Sequence, residues 1–218
     1  MPNDHSAEAL CNNSDRKPAE ITAHRPLIGY SEELHDFSQV IQDSRLPSKT
    51  LKNQVRWIYV HNYRSLSESK HEDEEKDKSP GLPTIPSAWS AICAKGQPSL
   101  AEIDNLARLY KVFVGKWLVF VTSDKVDNLW EKIVRSTLAG TLGISAKVST
   151  RDKKNSSSRH VICVYTSDYR SMTDVNRVRE GLRQLGVKGR IGYKPDIYTY
   201  CNIYMDNPWG ILPSRYYS

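Results

Sequence analysis

The second half of the chain alternates between two hydrophobic periods, one typical of helices and one typical of strands. In 124–143 the apolar positions recur at i, i+3, i+4, i+7 and i+8, which predicts an amphipathic helix. The segments 99–112 and 171–186 each begin with Ser and carry an acidic residue three positions later, a capping-box pattern that predicts two more helices. Runs of β-branched and aromatic residues predict strands at 54–64, 115–122, 144–151, 159–167 and in the two segments GRIGYKP and IYTYCNIYM.

The predicted order of elements indicates antiparallel pairing. Residues 152–158 are polar, and they join two predicted strands without an intervening helix. Strands joined by so short a loop run antiparallel, because parallel strands need a crossover of about a dozen residues or more. The predicted fold class is therefore α+β rather than a doubly wound parallel sheet.

The N-terminal part of the chain carries weaker patterns. Residues 1–50 are mostly polar, which predicts a largely disordered region, and the domain is predicted to occupy 51–218. A charged run at about 65–83 ends with Pro and Gly, and it predicts an acidic surface loop within the domain. The segment 84–98, with Trp89 at its centre, fits neither period.

The charge of the chain is unevenly distributed. The formal net charge is +6, but 18 basic and 9 acidic residues lie from Lys111 onward, and the first 110 residues carry a net charge of −3. A basic half beside a slightly acidic one is typical of a protein with a polyanionic partner. It is also compatible with an ordinary solvated surface.

Several classes of protein are disfavoured by the sequence. The four cysteines are widely spaced without a CxxC pair, which argues against a zinc site and a disulfide framework and favours reduced thiols in a cytoplasmic or nuclear protein. No apolar run approaches the ~20 residues of a membrane helix, and no secretory signal opens the chain. No catalytic triad, P-loop or metalloprotease motif is visible. We therefore expect no enzymatic activity, no cofactor, no metal site and no membrane association.

From Gly115 onward, the order of segments resembles translation initiation factor 4E. The matching segments are GKWLVFV, VDNLWEKIVRSTLAG, SAKVSTR, RHVICVYT, VNRVREGLRQLGV and GRIGY. The segments RHVICVYT, GYKPDIYTY and NPWGI more closely resemble an uncharacterised family of the basophilic-leukemia-expressed-protein type. The resemblance covers Gly115 to Tyr216 and implies an initiation-factor-4E-like fold, a curved antiparallel sheet backed by about three helices.

The same resemblance implies a set of phosphate-binding residues. Cap recognition needs two aromatic rings around a cationic base, a carboxylate for the guanine edge, and Arg or Lys for the phosphates. SAKVSTR has Arg151 where the initiation factor has a phosphate-binding Arg, and Lys153, Lys154 and Arg159 form a basic hairpin beside it. Lys194 follows as a further candidate, because the matching loop of the initiation factor approaches the cap phosphates.

The base-stacking residues do not carry over as a set. The strand segment with the second stacking Trp and its Glu is missing, since the helix at 99–112 runs almost directly into GKWL. Trp89 lies in the longer loop that corresponds to the first stacking Trp, and Trp209 and Tyr198 lie in the aromatic C-terminal segment. These three residues are the stacking candidates. The remaining tryptophans fall on predicted strands or on the apolar face of a predicted helix, and we expect them in the core: Trp57, Trp117 and Trp130.

Three functions remain open at this point. The first is a non-catalytic RNA- or nucleotide-binding protein that combines base stacking with phosphate contacts. It predicts salt-dependent binding that is lost in the double variant Arg151→Ala, Lys153→Ala. The second is a protein-interaction module that has lost cap binding and docks a protein partner. The third is a true mRNA cap-binding translation factor, which would require a rebuilt base pocket.

Overall fold

The structure, a computed structural model, describes the backbone of residues 28–30 and all atoms of 46–53, 55–62, 83–152 and 159–218. These residues form seven strands: β1 (Ile28–Tyr30), β2 (Trp57–His61), β3 (Gly115–Thr122), β4 (Ser145–Ser149), β5 (Arg159–Thr166), β6 (Gly192–Pro195) and β7 (Tyr216–Tyr217). They form five helices: α1 (Ile85–Cys93), α2 (Leu100–Leu109), α3 (Ser123–Leu138), α4 (Met172–Gln184) and α5 (Asp196–Tyr200). None of these helices has both the length and the apolar character that a membrane crossing requires.

The seven strands form one sheet in the order β1-β2-β4-β5-β3-β6-β7. All neighbouring pairs are antiparallel except β1 and β2, which are parallel. The longest ladder joins β3 to β5, from Gly115 opposite Thr166 to Thr122 opposite Arg159. The α+β class with an antiparallel sheet, predicted from the hairpin and the order of elements, is confirmed.

The helices cover one face of the sheet and enclose the main core. Helix α3 contributes Trp130, Ile133 and Val134 from one side, at the spacing that predicted the helix. Trp117 of β3 is buried against the helices, and its indole N–H donates to the carbonyl oxygen of Val175 on α4 over 2.9 Å. That hydrogen bond satisfies the polar atom of a large buried ring. Trp117 and Trp130 are therefore core residues, as predicted.

The segment IYTYCNIYM does not form the predicted strand. Residues Asp196–Tyr200 form helix α5, and Asn202 follows in the left-handed region at φ 54°. Ile203 is buried beyond the helix, and within the helix and its C-cap the buried side chains are Ile197, Tyr198 and Cys201. These positions are related as i, i+1 and i+4, which share one face of a helix, whereas a strand would bury alternate residues.

The ambiguous segment around Trp89 is helix α1. Thr84 is its N-cap, and the Thr84 hydroxyl accepts a hydrogen bond from the backbone N–H of Ser87. Pro86 lies in the first turn, where a backbone N–H would have no acceptor within the helix, so proline costs no hydrogen bond there. The capping signal was present in the sequence, but a segment of nine residues shows too few apolar repeats to establish a period.

The two predicted capping boxes have different outcomes. At α2 the box is confirmed, because the Ser99 hydroxyl accepts from Glu102 N–H and the Glu102 carboxylate accepts from Ser99 N–H. At α4 it is wrong, since the Ser171 side chain makes no capping hydrogen bond. Asp174 accepts instead from the Arg177 guanidinium over 2.7 Å.

Parts of the predicted organisation lie outside the described residues, namely 1–27 and 31–45 of the region predicted to be largely disordered, 65–82 of the acidic loop and 153–158 of the hairpin. Within 1–50, strand β1 pairs with β2, and residues 46–50 pack on the domain. The backbone N–H and the hydroxyl of Ser48 both donate to the carboxylate of Asp127 on α3. Strand β7 is a short element that the sequence pattern did not predict.

Candidate functional site

The second face of the sheet carries a small apolar cluster of its own. Leu118, Val161 and Cys163 are buried there, and Trp57, Phe120 and Tyr165 pack against them while keeping part of their surface exposed. No described helix contributes a residue to this cluster. We call this side of the sheet the outer face. Trp57, predicted to be a core residue, lies here and is only partly buried, because the first residue of β2 faces away from the helices.

The strand register arranges the outer face in rows. Residues directly opposite one another on neighbouring strands extend to the same side of a sheet. One row follows the register from β2 to β7: Tyr59, Lys147, Cys163, Leu118, Gly192 and Tyr217. The next row contains His61, Ser145, Tyr165, Lys116 and Lys194. These two rows therefore bring aromatic and cationic side chains together on the outer face.

Three residues of these rows, together with Trp57 at the start of β2, form an alternating series of cations and rings. The Lys147 ammonium lies 4.5 Å from the Trp57 ring centroid and 5.7 Å from the Tyr165 ring centroid. The Lys116 ammonium lies 5.4 Å from the centroid of the same Tyr165 ring. We call this series, Trp57–Lys147–Tyr165–Lys116, the cation–aromatic ladder. Each contact is within the distance at which a cation is attracted to the face of a ring.

Two lysines at one end of the ladder are held in different ways. Lys116 and Lys194 are directly opposite, an arrangement of like charges that is unfavourable unless it is neutralised. Asp196 supplies the neutralising charge, with its carboxylate 2.5 Å from the Lys116 ammonium. Burial alone would lower the pKa of Lys116, but the Asp196 carboxylate raises it above the ordinary value, so Lys116 is cationic.

The predicted phosphate-binding residues are distributed between surface and interior. Arg159 is exposed at the start of β5, and Arg151 is exposed two residues after β4, so both lie at the same end of the sheet as Trp57. Lys153 and Lys154 lie outside the described residues. Lys194 is only 4% exposed. Its ammonium donates to the carbonyl oxygen of Ile203 over 2.7 Å and lies 3.7 Å from the Tyr204 ring centroid.

The three predicted stacking residues lie on the helical side of the sheet, away from Arg151 and Arg159. Trp89 is 4% exposed and meets Trp209 edge to face, with centroids 4.9 Å apart. Tyr198 is 1% exposed on α5. All three pack in the main core, where Trp209 is a partly buried member. In this arrangement the rings stabilise the closure of the core by the C-terminal segment.

The ladder was not predicted, because its residues were placed on separate strands and only Trp57 was assigned to a face of the sheet, the core. The signal was present in WIYVH, where Trp57, Tyr59 and His61 occupy alternate positions and Ile58 and Val60 are the fully buried ones. The hairpin that pairs β4 with β5 was predicted, but its register, which brings Lys147 to Tyr165, and the pairing of β5 with β3, which adds Lys116, are not revealed by one sequence.

A Ser–His pair, with His160 buried and Ser123 partly buried, lies on the helical side of the sheet. His160 Nδ1 is 2.7 Å from the carbonyl oxygen of Ser149 and therefore carries the proton, so Nε2 accepts from the Ser123 hydroxyl at 3.0 Å. Burial lowers the pKa of His160, and its ring is 1% exposed. The pair ties the start of α3 to β4 and β5. Among the described residues, no group of three or more His, Cys, Asp or Glu could hold a metal ion.

Comparisons with known proteins give one family and a group of solved structures. The model of the family described as "Basophilic leukemia-expressed protein Bles03" matches residues 90–202, slightly more than half of the chain.

C. elegans eIF4E-3 in complex with the 4E-binding protein Mextli and a cap analog is 21% identical with a TM-score of 0.35, over 40% of this chain and 53% of that one. Ascaris suum eIF4E-3 with an m2,2,7G cap is 18% identical with a TM-score of 0.37, over 49% and 58%. Schistosome eIF4E complexed with m7GpppG and 4E-BP is 14% identical with a TM-score of 0.38, over 48% and 58%. The chain thus spans little more than half the length of the structures it matches.

Proposed function

The chain belongs to the basophilic leukemia-expressed protein Bles03 family, as its sequence resemblance implied, and we propose that it is a non-catalytic RNA- or nucleotide-binding protein whose binding surface is the outer face of the sheet. The observation that carries the proposal is the cation–aromatic ladder. Two partly exposed rings, Trp57 and Tyr165, with the Lys147 ammonium between them offer both halves of nucleotide recognition, a stacking surface for a base and a cation for phosphate. We also propose that the protein acts in the cytoplasm, or in both the cytoplasm and the nucleus.

The ladder supports an exchange of contacts on binding. A base that stacks on Trp57 would take the position that the Lys147 ammonium occupies over that ring. Lys147 would then turn to the phosphate of the same nucleotide, and a charge-assisted bond would replace a cation–π contact. The Tyr165 ring, with Lys147 on one flank and Lys116 on the other, would accept the neighbouring base.

Two arginines at the end of the sheet extend the cationic surface. Trp57 is opposite Ser149, the last residue of β4, and Arg151 follows two residues later. Arg159 opens β5 on the adjacent strand. A nucleotide stacked on Trp57 would therefore have two exposed guanidinium groups beside it for bidentate phosphate contacts.

The experiment is a titration of intrinsic Trp fluorescence with a single-stranded RNA tetranucleotide, GTP and a methylated cap analogue at low and high salt. We expect Trp57→Ala and Lys147→Ala each to weaken RNA binding about 10-fold, in line with stacking energies of about 1–3 kcal/mol per base. Lys132→Ala is the matched control, because Lys132 is exposed on α3, on the opposite side of the sheet, and its loss changes the net charge equally.

The outcome of that titration separates the candidate functions. RNA affinity that is unchanged in Trp57→Ala and Lys147→Ala, or that falls equally in Lys132→Ala, would contradict the proposed surface. A response to the cap analogue alone would favour a cap-binding translation factor. The absence of any response would favour a protein-interaction module, for which exposed apolar side chains such as Leu109 (55% exposed) and Leu212 (66% exposed) are the supporting observation.

A further inference from the structure

A basic depression lies at the β7 edge of the sheet, beyond the cation–aromatic ladder. It measures about 380 Å³, and its lining contains no Asp or Glu side chain. The lining residues are Arg183, Lys188, Gly189, Arg190, Tyr217 and Ser218. These three cations and the Tyr217 ring are not part of the cation–aromatic ladder.

Arg183 fixes the loop that presents the other two cations. Its guanidinium donates to the carbonyl oxygens of Val187 and Gly189, each over 2.8 Å, and to the hydroxyl of Ser218 over 3.2 Å. These bonds tie the end of α4 to the loop and to Ser218, the residue that follows β7. Arg183 is therefore a structural residue here, and the side chains it leaves facing solvent are those of Lys188 and Arg190.

Lys188 and Arg190 are both exposed, and neither pairs with a carboxylate within the described part of the chain. The Arg190 guanidinium lies 4.2 Å from the Tyr217 ring centroid. A cation held against an aromatic ring recurs here as it does at Trp57 and Tyr165, with a planar guanidinium in place of an ammonium. The depression thus repeats the chemistry of the ladder at the opposite end of the sheet.

The strand register connects the two surfaces. Tyr217 is opposite Gly192, and the same row continues through Leu118 and Cys163 to Lys147. Four strand spacings separate Tyr217 from Lys147, or about 19 Å at about 4.8 Å per strand. A single nucleotide cannot touch both ends of this row. Between them Tyr204, partly exposed over the Lys194 ammonium, covers β6.

We propose that the basic depression is a second phosphate-binding site for the ligand of the outer face. The ligand class of this protein is then single-stranded RNA of several nucleotides rather than a mononucleotide. This inference rests on the proposed function of the outer face. The RNA would cross the sheet from Trp57 to Tyr217, perpendicular to the strands, with phosphates held by Lys188 and Arg190 at the far end. Site sizes of about 4–16 nucleotides are usual for sheet surfaces that bind single strands.

The test compares fluorescein-labelled oligouridylates of 4 and 12 nucleotides by fluorescence anisotropy on the full chain. The unmodified chain is expected to bind the 12-mer at least about 10-fold more tightly than the 4-mer. The double variant Lys188→Ala, Arg190→Ala should reduce the affinity for the 12-mer to near that for the 4-mer and leave the 4-mer unaffected. The salt dependence of 12-mer binding should also weaken, with a slope smaller by about 1.4, from about 0.7 for each lost phosphate contact on a single strand.

The matched control is Lys125→Ala, Lys132→Ala, which removes two exposed cations from α3 on the helical side of the sheet. It should leave both affinities unchanged. Equal affinity of the unmodified chain for the two lengths, or an equal loss for both in the Lys188/Arg190 variant, would overturn the second site while leaving 4-mer binding and the proposed function intact. Failure of both lengths to bind the unmodified chain would reject the proposed function and this inference together. Thermal melts of each variant check that it is folded, and Arg183 is kept throughout so that the loop retains its anchor.

Discussion

Gly115 shows how closely side chains approach the backbone at the start of β3. A Cβ atom at this position would lie 2.3 Å from the hydroxyl oxygen of Tyr193 and 2.7 Å from its Cζ. Tyr193 is fully buried and hydrogen-bonded to the Thr166 hydroxyl, so its ring has no room to move away. We expect Gly115→Ala to lower the free energy of unfolding by about 1–3 kcal/mol, as overpacking does in other cores, measured by urea denaturation.

The control for that prediction is Gly189→Ala. No atom of the described residues lies within 4 Å of a Cβ at Gly189, and its φ is compatible with alanine, so stability should change by no more than about 0.5 kcal/mol. Equal effects of the two substitutions would show that the contact with Tyr193 is not responsible.

Asp104 links α2 to the C-terminal segment through charged hydrogen bonds. Its carboxylate accepts two bonds from the Arg215 guanidinium, at 2.7 and 2.9 Å, and one from the Tyr169 hydroxyl at 2.8 Å. Burial would raise the pKa of Asp104, but the bonds from Arg215 and Tyr169 hold it below the ordinary value. We expect Asp104→Asn to reduce the free energy of unfolding by about 1–3 kcal/mol at neutral pH.

The pH dependence of that loss has a definite sign. A carboxyl whose pKa is lowered on folding stabilises the folded state above its unfolded pKa of about 3.9, and this contribution is lost as the pH falls through the folded pKa. The stability difference between the unmodified chain and Asp104→Asn should therefore shrink as the pH falls below about 4. Asp174→Asn, at an exposed pair with Arg177, serves as the control and should change stability by less than about 1 kcal/mol. A difference that grows on acidification would contradict the assignment.

At the scale of single elements, the two similar helix starts make a paired test. Ser99 caps α2 through its hydroxyl, whereas Ser171 at the start of α4 makes no side-chain capping bond. We expect Ser99→Ala to destabilise the protein by about 1 kcal/mol and Ser171→Ala to have little effect, as measured by thermal and urea unfolding. Equal losses in the two variants would mean that the sequence pattern, rather than the hydrogen bond, identifies a working cap.

The elements that the sequence predicted correctly are those with a long, uniform period. The strand at 115–122 has the predicted bounds, and the strand at 159–167 and the helices at 99–112, 124–143 and 171–186 differ only at their ends. Helix α5 was missed because five residues form little more than one turn, which is too short to show a helical period. Its two buried residues, Ile197 and Tyr198, are adjacent in the sequence and therefore show no helical repeat. A run of β-branched and aromatic residues outweighed that short signal.

The candidate site was harder to predict than the fold. Arg159 and Arg151 were identified through a family resemblance, and they lie beside the outer face. Trp57 was assigned to the core because strand residues are usually buried, but a sheet has two faces and only one of them is covered by the described helices. Lys147 and Tyr165 become neighbours through the register of the β4–β5 hairpin, and Lys116 joins them only through the pairing of β5 with β3, strands that are far apart in the sequence.

At the scale of the whole molecule, the sheet depends on a strand that lies outside the family match at 90–202. Strand β2 pairs with β4, and its side chains Ile58 and Val60 are fully buried against the helices. Burial of side chains of this size contributes about 1.5–3 kcal/mol each. Together they amount to a large fraction of the 5–15 kcal/mol by which a typical domain is stable.

A fragment of residues 83–218 should therefore fail to fold cooperatively, because it lacks β2 and leaves the edge of β4 and the apolar side chains beneath it exposed. A fragment of residues 46–218 keeps β2 and the bonds from Ser48 to Asp127, and it should unfold in one transition in urea when followed by circular dichroism. Within the full chain, Ile58→Ala should lower stability by about 2–5 kcal/mol, and Tyr59→Ala, on the outer face, by less. Cooperative unfolding of 83–218 with the stability of the full chain would show that the family segment is a complete folding unit. The outer face of that fragment would lack Trp57, the ring at one end of the ladder, so the fragment should bind RNA more weakly than the full chain.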